Sequence, residues 1–103
     1  MLKLFISAPM EGRTHSEAVQ ERDRLITEAR RALTIPTGTG IYALPWMYWE
    51  PNRHSTLLRL GRCFPYMECA DYVVFDRKEW GKDRVCRVEH LCAELCGIPI
   101  LEV

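Results

Sequence analysis

Twice in this chain a short apolar run of strand length passes through a loop into a segment of helical period, and a third apolar run closes the sequence. Leu2 to Ile6 leads through Ser7-Ala-Pro-Met-Glu-Gly-Arg13 into the first helical pattern. Asp71-Tyr-Val-Val-Phe-Asp76 leads through a loop holding Trp80 and Asp83 into another. Ile98 to Val103 then follows Gly97, which sits where a C-cap glycine ends a helix. Alternating strands and helices bury their apolar faces best as a small parallel sheet with helices on both sides. Ligand groups then gather at the carboxyl ends of the strands. Pro99, near the start of the last strand, is tolerated at a first or edge position.

The first helix is marked at its entrance. Thr14-x-x-Glu17 is a capping-box pattern, and Ala18, Val19, Arg22, Leu25, Ile26, Ala29 and Leu33 trace the inner stripe behind it. A strand feeding a loop and then a helix N-terminus presents unpaired N–H groups and the positive end of a dipole, for which phosphate is a natural guest. Ser7 and Arg13 would complete such a site. Only Gly12 is present, so this is not the glycine-rich dinucleotide fingerprint, and an ordinary capped connection explains the same residues.

The later helix carries the most informative residue. Its pattern places Val85, Val88, Leu91, Cys92 and Leu95 on one face, with Asp83 at the entrance and Glu89 one to two turns inside. A helix glutamate on the surface usually has a cation three or four positions away, yet Val85, Cys86, Cys92 and Ala93 stand at those distances from Glu89. A carboxylate in apolar company, with a second one in the loop before it, is placed for acid/base or nucleophilic work. The plainer alternative is an N-cap at Asp83 and a solvated charge at Glu89.

Residues 34 to 56 hold Pro36, Gly38, Gly40, Pro45 and Pro51 around Tyr42, Trp46, Tyr48 and Trp49. A second strand is expected within Ile41 to Trp49, in a segment that is otherwise irregular. Its aromatics would serve as a lid over a planar ligand or pack in a core or subunit interface. Ser55 or Thr56 would then cap two short helical pieces, broken near Gly61 and Pro65, with Leu57, Leu58, Leu60, Phe64 and Met67 inward.

A chain of 103 residues suffices for one core, so residues 1–103 are read as a single domain. Fourteen basic and fourteen acidic residues cancel, which argues against a partner held by bulk charge such as duplex nucleic acid. No apolar run approaches the roughly 20 residues that span a bilayer, and no signal peptide is expected. Five cysteines, three of them within one helical pattern, suit reduced thiols and a cytoplasmic setting. Close Cys-x-x-Cys pairs are absent, and Cys86 with His90 makes a poor zinc site, so no metal is expected.

Several of these segments together resemble the nucleoside 2-deoxyribosyltransferase-like superfamily, in particular its short, mostly uncharacterised branch. They are Ile6-Ser-Ala-Pro-Met-Glu-Gly-Arg13, Ala70-Asp-Tyr-Val-Val-Phe75, Trp80, Arg87-Val-Glu-His90, and Ala93-Glu-Leu-Cys-Gly-Ile-Pro-Ile-Leu101. The likeness covers both ends and most of the length, leaving out residues 34 to 56. It implies an α/β fold: a small flavodoxin-like or Rossmann-like three-layer sandwich with a mainly parallel sheet of four or five strands. It also implies a homodimer or higher homo-oligomer, no cofactor, and a nucleoside or nucleotide as the small-molecule partner.

By the same resemblance Glu89 occupies the place of the glutamate that attacks the anomeric carbon, and Asp83 that of the aspartate assisting the leaving base. Ser7, Pro9, Met10, Gly12 and Arg13 belong to the phosphate end of the site, and Trp80 or the lid aromatics would stack on the base. The chemistry suits the residue types, because cleaving an N-glycosidic bond builds positive charge on the sugar while the departing base needs a proton. Carboxyl groups about 5 Å apart would suit a retaining covalent route, and a wider gap direct attack by water. This chain departs from the pattern at Cys63, where relatives place an aspartate, and at Val85-Cys86, where they place small residues. Those departures favour the alternative expectation, a nucleotide-binding protein of the same fold without catalysis.

Overall fold

The first strand sets the frame. In the computed structural model, which describes residues 1–36, 38–44 and 56–103, β1 (Leu2–Ser7) carries four successive buried residues, Leu4, Phe5, Ile6 and Ser7. Burial on both sides is the mark of an interior strand in a parallel sheet. β1 pairs in parallel with β2 (Ile41–Ala43), Leu2 opposite Ile41, and with β3 (Tyr72–Phe75), Ser7 opposite Phe75. β3 in turn pairs in parallel with β4 (Ile100–Glu102), giving the order β2-β1-β3-β4. The expected small α/β sandwich with a parallel sheet is therefore present, with four strands and all pairings parallel among the described residues.

Because side chains alternate along a strand, each strand sends every second residue to one layer. Leu4, Ile6 and Val74 pack with Leu25 and Ala29 of α1 (His15–Ala32), while Phe5, Val73 and Phe75 pack with Cys63 and Met67 of α2 (Thr56–Glu68) and Ala93 of α3 (Arg84–Leu95). Ser7 has the parity of Phe5. It therefore faces the layer of α2 and α3 rather than α1.

α1 begins as its sequence predicts. Thr14 Oγ1 accepts from the Glu17 N–H and Glu17 Oε1 from the Thr14 N–H, and Ala18, Leu25 and Ala29 are buried along the stripe. α3 is followed after its C-cap, Cys96, by Gly97, whose φ of 68° is the left-handed conformation that glycine adopts without cost.

Two expectations need correction. α2 is one continuous helix rather than two pieces. Pro65 lies in its last turn, so it removes a single backbone donor, and only three residues of helix follow it. Its inward residues are Leu60, Cys63 and Met67, with Phe64 partly covered, while Leu57 and Leu58 are exposed. The larger correction concerns α3, which is turned about its axis relative to its apolar pattern. Val85, Cys86, Glu89, His90 and Ala93 are buried, whereas Val88, Leu91 and Leu95 are exposed, the last two at 54% and 77%. The pattern failed because the buried face of this helix carries a carboxylate bonded to β1 and an imidazole stacked on Trp80.

Trp46, Tyr48 and Trp49, expected in a lid or interface, lie outside the described residues; Tyr42 is described and exposed. No helix among the described residues is long and apolar enough to cross a membrane.

Candidate functional site

Ser7 ends β1 with its side chain toward α3, and Glu89 meets it there. The Ser7 hydroxyl donates to Glu89 Oε1 at 2.8 Å, a buried bond between residues 82 positions apart. The backbone carbonyl of the same serine accepts the Cys86 thiol at 3.8 Å, so the first two turns of α3 are seated on the end of β1. This is the partner that Glu89 lacks on its own helix.

Glu89 is 3% exposed, and its carboxyl is pushed up to about 7. Burial is the main cause and the Asp83 charge adds to it, while the Ser7 hydrogen bond and the Arg59 charge pull the other way. A carboxyl near half-ionised at neutral pH can act as acid, base or nucleophile. It lines a recess with Phe5, Ile6, Ala8, Met10, Arg59 and Cys63. The space there for the centre of a water molecule is about 10 Å³, room for roughly one water.

Asp83 has two roles to reconcile. It caps α3, its Oδ2 accepting from the Cys86 N–H at 2.9 Å, as the plain reading of the sequence expects. It is also buried and close enough to raise Glu89 electrostatically. Arg84, next in sequence, pairs with Glu11 at 3.1 Å, so it does not neutralise Glu89.

The loop after β1 divides. Pro9 and Met10 are buried, and Met10 reaches the recess. Gly12 and Arg13 lie further out, where the Arg13 N–H donates to the Met10 carbonyl at 3.1 Å across a turn. Gly12 has φ of 77°, the conformation that the third position of a type II turn requires. Arg13 pairs with Glu21 at 3.7 Å, and Glu21 and Asp76 both bond Arg24, which links this loop through α1 to the end of β3. The capping box meanwhile occupies donors at the start of α1 that an anion would otherwise use.

Trp80 stands apart from the recess. It lies in a 3₁₀ turn (Trp80–Lys82), its ring is stacked on His90, and its Nε1 donates to Glu102 on β4 at 2.8 Å. The indole is thus committed to protein partners. Of the residues singled out in the sequence, the structure brings together Ser7, Met10, Asp83 and Glu89 and holds Pro9 buried in the same loop; Gly12, Arg13 and Trp80 do not line the recess.

Sequence reasoning missed Arg59. It sits one turn before Cys63 on the inner side of α2, its Nε buried without a hydrogen-bond partner. The one available signal was a cation directly before Leu60 on the helix's inward stripe. Cys63, facing the same recess, is pushed up to about 11, chiefly by burial and then by the Glu89 charge, so it stays a thiol near neutral pH. Cys86 is raised too, first by burial and then by Asp83. Cys86 and His90 are committed to different partners, and no cluster of three metal-ligating side chains occurs among the described residues.

Comparison of the chain with known protein families, with curated proteins and with solved structures finds no match.

Proposed function

We propose that this chain cleaves or transfers at the N-glycosidic bond of a (deoxy)nucleoside or nucleoside 5′-monophosphate, as a member of the nucleoside 2-deoxyribosyltransferase-like superfamily. The observation that carries this reading is Glu89. It is a buried carboxyl bonded by a hydroxyl from the end of the central strand, and it lines a recess beside the loop after that strand. In α/β folds of this kind, such a position is where ligands bind.

In this reading Glu89 attacks the anomeric carbon, the electrons of the C–N bond leave with the base, and the base takes a proton from Asp83 or water. Water or a second base then displaces the carboxylate from the sugar. Ser7 orients Glu89 and favours its charged form, as Arg59 does from α2. Met10 and Pro9 shape the recess, and Gly12 and Arg13 would face the 5′ end of the substrate.

The test is base release from a panel of deoxynucleosides and their monophosphates, followed by chromatography. Wild type should release base, and Glu89→Gln should abolish release while leaving binding largely intact. A second reading, nucleotide binding without turnover, is favoured by Cys63 in the recess, a thiol where the resembled superfamily places an aspartate. Wild-type protein that binds the monophosphates but never releases base would establish that reading instead.

Assembly into a homo-oligomer belongs to the same proposal. Val88, Leu91 and Leu95 form an exposed apolar stripe along α3, and such a stripe is stabilised when a second copy covers it.

A further inference from the structure

One residue beyond Glu89, a second set of polar side chains meets on the β4 side of α3. His90 is buried; its Nδ1 lies 2.8 Å from Glu94 Oε1 and its Nε2 lies 3.6 Å from Glu102 Oε2. The Trp80 indole lies flat against the imidazole, with 3.7 Å between centroids and 3° between planes, and its Nε1 donates to the other oxygen of Glu102. Phe75 of β3 packs on the imidazole at 4.7 Å. Among the described residues, the charged groups facing the ring are therefore Glu94 from its own helix and Glu102 from β4.

Carboxylates only accept, and a neutral imidazole has one N–H to give. If that proton sits on Nδ1, Nε2 is left buried with no hydrogen-bond partner and its lone pair toward a carboxylate oxygen. If it sits on Nε2, the Nδ1 lone pair stands 2.8 Å from the Glu94 oxygen, which is repulsive. The doubly protonated ring offers a proton to each side, and its charge over the indole face adds a cation–π attraction.

We propose that His90 is a positioning residue acting as a proton-held clamp, its imidazolium tying α3 to β4 and to the Trp80 turn and so keeping Glu89 seated against Ser7. When the ring gives up its proton to solvent, Nε2 loses its attraction to Glu102 and this part of α3 loosens. The clamp does not depend on which reaction Glu89 serves.

The test uses the full chain carrying Trp46→Phe and Trp49→Phe, which leaves Trp80 as its one tryptophan. Glu89→Gln is added so that ionisation of that carboxyl contributes nothing. A protonated imidazole in contact with an indole quenches its emission, so Trp80 fluorescence should rise as the ring deprotonates. Adding His90→Gln should abolish the transition. Adding Glu102→Gln, which still accepts from Trp80 but carries no charge toward Nε2, should move it to lower pH. Amide exchange along Val88 to Leu91, corrected for the intrinsic pH dependence, should lose protection across the same transition, as the charge attraction between Nε2 and Glu102 is removed.

Fluorescence and protection that do not change with pH, or a Glu102→Gln transition that stays in place or moves up, overturn the proposal. A histidine that only fills space would give that pH-independent result. If His90→Gln fails to fold, Glu102→Gln and Glu94→Gln decide the matter alone, since both leave the ring in place.

Discussion

Glu89 concentrates the consequences that single residues carry. Its carboxyl is raised from about 4.5 to about 7 on folding, so between those values the folded chain holds a proton that the unfolded chain has released. Stability therefore declines as the pH rises through that window, by about 3 kcal/mol at most from this group. Glu89→Gln should flatten the decline and melt higher than wild type above neutral pH, which thermal unfolding at several pH values would reveal. Base release should run the opposite way, rising with pH as Glu89 ionises. Ser7→Ala removes a donor to the charged form, so the midpoint of the pH–rate profile should move up. Removing that bond should also cost about 1–3 kcal/mol in stabilisation of the ionised carboxylate. Arg59→Met should move the midpoint in the same direction, because its charge acts on Glu89 in the same sense. An unmoved profile in both variants would count against Glu89 as the titrating group. At this scale the sequence was half legible. The missing cation around Glu89 marked it as unusual, but Ser7 and Arg59 lie far away in sequence, and nothing local points from one to another.

Among the elements, legibility followed how far each is determined by its own residues. α1 is governed by its capping box and apolar stripe, and both act as read. The strands are short apolar runs bounded by turn residues, and they form where those runs lie. α3 is different, because hydropathy favours burying Leu91 and Leu95 while the buried face instead holds Cys86, Glu89 and His90. Contacts to Ser7, Trp80 and Glu102 outweigh the stripe, and no periodicity within α3 encodes them. The cap at Asp83 is local and was legible. Its replacement in Asp83→Ala should cost about 1 kcal/mol of stability in a urea titration, whatever it does to base release. Loss of release in that variant at temperatures where it remains folded would separate the chemical role of Asp83 from its capping role.

For the molecule as a whole, the alternation of strands and helices was enough to anticipate a parallel sheet between helical layers, while strand order and register were not encoded in any single segment. The exposed stripe on α3 leads to an expectation at this scale. Sedimentation of wild type should show a dimer or larger assembly, and Leu91→Glu with Leu95→Glu should shift it toward monomer without changing the circular dichroism spectrum. A wild-type monomer at all concentrations would remove assembly from the account. The contact between Ser7 and Glu89 joins the first strand to the last helix, 82 positions apart. The chain must close over that span before the contact can form, at an entropic cost that grows only slowly with its length. In a chain whose α3 is undocked Glu89 is an ordinary exposed carboxylate, and its raised form exists only once α3 is seated on β1. On refolding, the return of the raised carboxyl would report the docking of α3 on β1 rather than the first collapse.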